Sequence, residues 1–275
     1  MDKPLKGEKD KRIIFIRHGD PDYVNDTLTE KGRREAALLA KRVSGWKVKD
    51  FYCSPLGRAQ ATASYSLNKI NRTAKTYDWL KEFSYTITDP TTGRVGVPWD
   101  FMPSYWTTDP LFYDKNYWHE ASVFQGNADL KPAYDQVCNG IDSILSAYGY
   151  TREGAIYRTP PAKNASTAAV YSVTPDLAVD AGTAKLIPSY SDDTIVIFCH
   201  LGVTFVMMSH LLGIAPPLLW QNFFVAPTSV TILTTEERMP GEAYFRTQVM
   251  GDTLHLHDGQ EPISQAGYFA EPFQF

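Results

Sequence analysis

Two stretches of the chain join an uninterrupted apolar run to a histidine. The run Ile13-Ile14-Phe15-Ile16 leads into Arg17-His18-Gly19, and residues 194–199 lead into His200 and an apolar, helix-like segment that ends near Leu212. Short apolar runs rich in β-branched residues are typical of strands buried on both faces. Because the carboxyl ends of parallel strands lie at one edge of a sheet, the pattern predicts two histidines at a common edge.

A third stretch adds the start of a helix to this edge. The run Phe51-Tyr52-Cys53 is followed by Ser54, which predicts an N-cap, and by Pro55, which is favoured as the first helical residue. We therefore expect a helix from Pro55 to about residue 70, with Arg58 in its first turn. Two histidines and two arginines near a helix N-terminus are typical of an anion site, most simply a phosphate site.

The rest of the chain also shows regular periods. Helical spacing predicts a helix capped by Thr29 and another from residue 130 to about residue 148. Alternating apolar positions predict antiparallel strands at residues 229–234 and 243–249, which would extend the sheet at one edge.

Other segments have no such period. Residues 1–11 are dominated by charge and are expected to form a solvated tail. Residues 152–192 are expected to be irregular, with a short hairpin or an exposed excursion as the alternatives. Pro216 and Pro217 are expected to end regular structure.

Two further motifs are Leu28-Thr29-Glu30-Lys31-Gly32 and Ser54-Pro55-Leu56-x-Arg58-Ala59-x-x-Thr62-Ala63. Together with the runs that end in His18 and His200, these motifs resemble the histidine phosphatase superfamily in its phosphoglycerate-mutase-like branch. The motifs cover about the first 80 residues and residues 194–213. The resemblance implies an α/β fold, a three-layer α/β/α sandwich around a mostly parallel sheet. We expect a single domain over residues 1–275, with an aromatic-rich insertion at about residues 84–193 over the carboxyl edge.

The resemblance also implies roles for the polar residues at this edge. His18 would attack phosphorus and carry the phosphoryl group as phosphohistidine, because the neighbouring arginines disfavour protonation of its ring. Arg17, Arg58 and His200 would hold the phosphoryl oxygens, the arginines through planar, multi-donor contacts.

A proton donor is also required. Glu82 follows Leu80-Lys81 in a context typical of the family, and would protonate the leaving alkoxide and later deprotonate water. Partial burial would have to raise the pKa of its carboxyl group. Asp20 and Asp78 are the alternatives.

Residues 99–118 contain eight aromatic side chains broken by prolines, which distinguishes this segment from a linker. We name Trp99, Trp106 and Tyr113 as candidate substrate-binding residues, and packing within the insertion as the alternative. Near the first motif, Tyr23 and Asn25 are further candidates, and Asn25 would replace an asparagine of the family's mutases.

The insertion helps to choose among functions. From residue 82 to residue 130 only Arg94 and Lys115 are cationic, whereas a doubly phosphorylated intermediate would require more positive charge. We therefore predict a metal-independent phosphatase acting on a small phosphomonoester. A phosphoglycerate-mutase-type phosphotransferase and a non-catalytic relative that binds a phosphate ligand or a partner remain as alternatives.

Two other chemistries fit the sequence less well. Cys53 and Arg58 are one residue too close for the phosphate loop of a cysteine phosphatase, and Phe205 stands where an arginine would have to follow Cys199. His255 and His257 could share a strand face and bind a metal, but without a third ligand we expect exposed terminal residues. We expect neither a metal nor a cofactor.

Composition narrows the range of partners. The chain of 275 residues has a net charge of -4, which provides no basic field for nucleic acid or an anionic membrane. No apolar run approaches the roughly 20 residues of a membrane span, and no hydrophobic segment follows the charged start, so we expect a cytoplasmic protein. Three widely spaced cysteines argue against a disulfide framework.

Overall fold

The computed structural model describes residues 11–160, 194–239 and 241–274. Residues 1–10 of the predicted tail and residues 161–192 of the predicted irregular stretch lie outside the described residues. No helix in the described ranges is long and apolar enough to cross a membrane.

The described strands form one large and two small sheets. In chain order they are β1 Arg12–Arg17, β2 Pro21–Asp22, β3 Thr27–Leu28, β4 Asp50–Cys53, β5 Lys75–Thr76, β6 Ile87–Thr88, β7 Val95–Gly96, β8 Thr151–Glu153, β9 Ile156–Arg158, β10 Thr194–Cys199, β11 Val230–Met239 and β12 Glu242–Asp252.

Seven α-helices lie between and after these strands in the described ranges. They are α1 Glu30–Val43, α2 Gly57–Lys69, α3 Pro103–Trp106, α4 Leu130–Ser146, α5 Leu201–Leu212, α6 Pro216–Asn222 and α7 Leu254–Asp258. Short 3-10 turns occupy Asp78–Leu80, Pro110–Tyr113 and Trp118–Glu120.

The central sheet has eight strands in the order β5-β4-β10-β1-β11-β12-β9-β8. The four strands from β5 to β1 are parallel neighbours, and each later neighbour is antiparallel, so six strands run one way and two the other. This confirms the predicted mostly parallel sheet and its antiparallel extension by β11 and β12, both longer than predicted. The hairpin alternative for the irregular stretch is present as β8 and β9.

The strand register brings three chemically important strand ends together. Arg17 of β1 stands opposite Cys199 of β10, and Phe198 of β10 stands opposite Cys53 of β4. The residues that follow these strands, His18, His200 and Ser54, therefore leave the sheet side by side.

Alternate residues of β1 face two hydrophobic clusters, which is why the strand is apolar throughout. Ile14 and Ile16 pack in a cluster with α1 and α2 on one side of the sheet. Ile13 and Phe15 pack in a larger cluster with α4, α5 and α6 on the other side. The central strands thus lie between two helical layers, as predicted.

Two helix starts differ in how well the sequence predicted them. Thr29 caps α1 by accepting a hydrogen bond from the Gly32 N–H, as predicted. The helix expected from Pro55 begins instead at Gly57, with Leu56 at the N-cap position. Ser54 is therefore not the N-cap, because its hydroxyl accepts from the Leu56 N–H and also meets His200 Nε2 at 2.7 Å.

Several aromatic residues of the insertion belong to the larger of the two hydrophobic clusters. Phe101, Phe112, Trp118 and Phe124 are buried and make edge-to-face or tilted ring contacts with one another. Internal packing therefore accounts for these four aromatic residues.

One expectation about prolines was wrong. Pro216 and Pro217 do not end regular structure, because they occupy the first turn of α6, where a missing backbone N–H costs no helical hydrogen bond.

Candidate active site

His18 is held at the end of β1 by backbone contacts on both sides. Its N–H donates to the Cys199 carbonyl at 3.0 Å, and its carbonyl accepts from the Thr228 N–H at 3.1 Å. The side chain is 1% exposed. Burial, and then the positive charge of Arg17, hold the pKa of His18 well below its ordinary value, so the ring is neutral.

The tautomer of His18 follows from one further contact. Nδ1 lies 2.7 Å from the Gly19 carbonyl oxygen, which can only accept a hydrogen bond. Nδ1 therefore carries the proton of the neutral ring, and Nε2 keeps its lone pair. An imidazole in this state can act as a nucleophile through Nε2.

His200 faces His18 from the end of β10. The two ring centroids are 5.1 Å apart, with the ring planes inclined at 55°. Nε2 of His200 contacts the Ser54 hydroxyl, while its buried Nδ1 has no hydrogen-bond partner in the described ranges. Burial and the nearby charges also lower the pKa of His200 well below the ordinary value.

Arg17 is fixed by two backbone carbonyls from distant parts of the chain. Its Nη1 donates to Val225 O at 2.8 Å, and its Nη2 donates to Ala266 O at 2.9 Å. The guanidinium also lies over the Phe224 ring, 5.7 Å from its centroid. Its buried Nε has no partner among the described residues. Arg17 is therefore oriented by the protein but keeps donor capacity for an anion.

Arg58 lies in the first turn of α2, as predicted. Its Nη1 forms an ion pair with Asp26 Oδ1 at 2.6 Å, and the ring of Tyr23 lies 5.4 Å from its central carbon. The buried Nε of Arg58, like that of Arg17, lacks a partner in the part of the chain that the structure describes. Arg17 and Arg58 both help to lower the pKa of His18 and of His200, so the two arginines interact electrostatically with both histidines.

Glu82 lies beside these four residues, just after the 3-10 turn Asp78–Leu80. Its Oε1 accepts from the N–H groups of Phe83 at 2.8 Å and Val203 at 3.1 Å. Burial raises the pKa of Glu82 despite these hydrogen bonds and the charges of Arg17 and Arg58. Both of these hydrogen bonds go to Oε1, and within the described ranges Oε2 accepts none.

The two alternative acids are placed differently. The carboxylate of Asp20 accepts from the hydroxyls of Thr29, at 2.6 Å, and Ser264. Asp78 pairs with Lys81, and its side chain is 81% exposed. Glu82 is the acid that interacts electrostatically with both arginines.

Two of the five candidate substrate-binding residues contact the site residues described above, and the other three make different contacts. Tyr23 reaches both arginines, since its hydroxyl also interacts with Arg17. Trp99 packs next to Glu82 at Gly202. Asn25 instead donates to Asp22 from an exposed turn, and Trp106 and Tyr113 contact each other.

One expectation about His255 was wrong, because this residue is buried, whereas His257 is exposed as expected. Both residues lie in helix α7, so they do not share a strand face. Nε2 of His255 contacts the Thr228 hydroxyl at 3.1 Å, so the buried ring has a polar partner. No group of three or more His, Cys, Asp or Glu residues in the described ranges could hold a metal ion.

Sequence reasoning missed several residues that support the site. Asp26 positions Arg58, Ser54 contacts His200, and Ala266 holds Arg17. Thr62 links the backbone of the first motif to α2, because its hydroxyl accepts from the Gly19 N–H at 2.9 Å and donates to Arg58 O at 2.8 Å. Ser54 and Thr62 lay within the recognised motif, but Asp26 and Ala266 gave no local signal.

Comparison with known families finds one whose model matches two segments of the sequence. The model of the histidine phosphatase superfamily (branch 1) matches residues 13–94 and 178–245. A curated 2,3-bisphosphoglycerate-dependent phosphoglycerate mutase from Thermoplasma acidophilum is 37% identical over 82 residues, which are 26% of this chain and 41% of that protein. The chain thus matches less than half the length of this relative.

Similar folds occur among solved structures. A phosphoserine phosphatase from Entamoeba histolytica has a TM-score of 0.53 and 15% identity, covering 89% of this chain and 98% of that one. A mycobacterial glucosyl-3-phosphoglycerate phosphatase has a TM-score of 0.52 and 15% identity, covering 88% and 99%. At such identities the likeness concerns the fold alone.

Proposed function

The chain belongs to the histidine phosphatase superfamily, and on this premise we propose that it hydrolyses a small phosphate monoester through a phosphohistidine on His18. One observation supports this most: the neutral imidazole of His18, with an available Nε2 lone pair, packs against a second imidazole and interacts electrostatically with the guanidinium groups of Arg17 and Arg58. Cations next to a neutral nucleophile are what phosphoryl transfer requires.

In the first step, Nε2 of His18 attacks phosphorus and the bond from phosphorus to the alcohol oxygen breaks. Glu82 donates its proton to the departing alkoxide, and its raised pKa favours the protonated form that this step needs. Arg17, Arg58 and the Nδ1 side of His200 bind the non-bridging oxygens. Phosphohistidine and the free alcohol result.

In the second step, water attacks the same phosphorus and the bond to Nε2 breaks. Glu82, now ionised, accepts a proton from the water, and inorganic phosphate forms. His18 returns to its neutral tautomer because the Gly19 carbonyl still accepts from Nδ1. Neither step uses a metal ion.

A phosphoglycerate-mutase-type reaction would share the phosphohistidine but transfer the group to a second hydroxyl. It is supported by the partial identity to a mutase from Thermoplasma acidophilum. We favour hydrolysis because Arg17 and Arg58 are the cations that act on both imidazoles, and both would be engaged by a single phosphoryl group. From residue 82 to residue 130 only Arg94 and Lys115 are cationic, whereas a doubly phosphorylated intermediate would require more positive charge.

The test is turnover of p-nitrophenyl phosphate by the purified protein in the presence of a chelator. We expect hydrolysis that falls by about 10³-fold or more in His18→Ala, together with an acid-labile phosphoenzyme in the wild type. His257→Ala, at an exposed histidine, is the matched control.

Three outcomes would contradict the proposal. No turnover by the wild type would favour a non-catalytic phosphate-binding protein. Turnover that survives His18→Ala would exclude this nucleophile. Faster transfer to an added phosphoglycerate than to water would favour the mutase reaction.

A further inference from the structure

Trp99 and Glu82 meet at a single point of α5. A Cβ atom on Gly202 would lie 2.3 Å from Cζ3 and 2.4 Å from Cη2 of Trp99, and 2.8 Å from Oε1 of Glu82. Since both groups approach one point, Cη2 of Trp99 and Oε1 of Glu82 are at most 5.2 Å apart. Glycine at position 202 thus allows an indole ring to pack directly beside the proposed proton donor.

The Trp99 ring packs against a second tryptophan of the hydrophobic core. The buried Trp220 contacts it with ring centroids 6.2 Å apart, and Nε1 of Trp220 donates to the Gly202 carbonyl at 3.1 Å. Trp220 in turn packs on Phe83 and Trp118, each at a centroid distance of 5.5 Å. Trp99 itself is only partly buried. One part of the indole is therefore fixed against the core, and the rest remains accessible.

The proposed reaction places the alcohol oxygen of the substrate next to Glu82, which must protonate it. The organic group attached to that oxygen therefore extends from the phosphate site toward Trp99. A planar, apolar substituent gains contact with the indole, whereas an anionic substituent would lie near the Glu82 carboxyl group and an uncharged ring.

We propose that Trp99 forms the wall of a leaving-group subsite, and that the enzyme prefers phosphomonoesters whose alcohol carries an uncharged aromatic ring. The inference rests on the proposed phosphatase function and adds the class of its substrate. It differs from the acidic compounds named for two of the similar proteins, phosphoserine and glucosyl-3-phosphoglycerate.

The test compares benzyl phosphate with ethyl phosphate. Both have alkyl leaving groups of similar acidity, so their kcat/KM ratio reports contact with the ring and not the ease of bond breaking. Both also need the same proton, so a change at Glu82 cancels in the ratio. We expect the wild type to favour benzyl phosphate by about tenfold, and Trp99→Ala to reduce that ratio by about 3- to 10-fold.

Tyr117→Ala is the matched control, since Tyr117 is an exposed aromatic residue of the same insertion. It should leave the ratio unchanged, and circular dichroism should show both variants folded. L-phosphoserine should be a poorer substrate than ethyl phosphate for the wild type.

The outcomes separate the two proposals. Hydrolysis of both esters with a ratio near one, or a ratio that Trp99→Ala leaves intact, would overturn the aromatic subsite while the phosphatase function stands. Faster hydrolysis of phosphoserine than of benzyl phosphate would overturn it as well. No hydrolysis of any ester would overturn the proposed function and this inference together.

Discussion

Asp26 binds Arg58 from a turn 32 residues earlier in the chain, with 2.6 Å between Oδ1 and Nη1. The other carboxylate oxygen of Asp26 accepts from the Gly57 N–H, also at 2.6 Å. One carboxylate thus fixes both the start of α2 and the guanidinium that this helix presents. Asp26 has a φ of 47°, a left-handed conformation that Asp and Asn tolerate better than most residues.

Replacing Asp26 by Asn should weaken phosphate binding. Asn keeps the backbone conformation but removes the ion pair, so Arg58 becomes less well positioned. We expect the inhibition constant of inorganic phosphate to rise about 3- to 10-fold, measured by competition with p-nitrophenyl phosphate. Asp22→Asn is the control, because Asp22 lies in the same hairpin and its carboxylate accepts hydrogen bonds from Val24 and Asn25 at the hairpin tip. Equal or tighter inhibition in Asp26→Asn would mean that the charge of Asp26 opposes anion binding more than its position helps.

The rate of hydrolysis should fall at both low and high pH, at positions set by the lowered pKa of His18 and the raised pKa of Glu82. His18 must be neutral, and its pKa is lowered, so activity should fall only when the pH drops well below the ordinary histidine range. Glu82 must be protonated to release the alcohol, and its pKa is raised, so activity falls as the pH rises through that raised value. A profile of kcat/KM against pH with an alkyl phosphate would show both limbs.

Glu82→Gln tests the assignment of the second limb. The variant should lose about 10²- to 10⁴-fold in kcat with alkyl phosphates, and its residual activity should lack the fall toward higher pH. An unchanged limb in Glu82→Gln would assign it to another group.

The sequence predicted the parts of the site that depend on local pattern. Apolar runs that end in His18 and His200 define strand ends, and parallel strands place such ends together, so the meeting of these histidines with Arg17 and Arg58 was foreseeable. Their roles remain predictions. The fold class was implied by the resemblance that these motifs carry, and the likeness to solved structures confirms it.

Contacts between distant segments could not be read in this way. Arg17 donates to Ala266, 249 residues away, and no period in the sequence relates the two. Ser54 was misassigned because a serine before a proline predicts a cap, whereas in the fold His200 offers its hydroxyl another partner. His255 was misjudged because its burial depends on the tertiary fold, in which it contacts Thr228, and a local pattern does not reveal such a contact.

The C-terminal segment should affect phosphate binding through Gly267. A Cβ atom there would lie 2.9 Å from Nη2 of Arg17, which Ala266 and Val225 already hold, and the φ of Gly267 is +80°. Gly267→Ala should therefore displace the guanidinium and raise KM for p-nitrophenyl phosphate by about 3- to 10-fold. Gly93→Ala is a close control, because its φ is +68° but nothing lies within 4 Å. Similar KM values in both variants would show that Arg17 adjusts without loss.

Glu35 should make stability depend on pH. Its side chain is 0% exposed, its Oε2 accepts from the Asp20 N–H, and burial raises its pKa from 4.5 to about 7. Between these values the folded protein binds more protons than the unfolded chain, so the free energy of unfolding falls by about 3 kcal/mol as the pH rises. In urea titrations, Glu35→Gln should therefore become more stable relative to wild type as the pH rises from about 4.5 to about 7. Glu30→Gln, at an exposed residue of the same helix, should show no such trend, and a pH-independent difference for Glu35→Gln would mean that this carboxyl titrates normally.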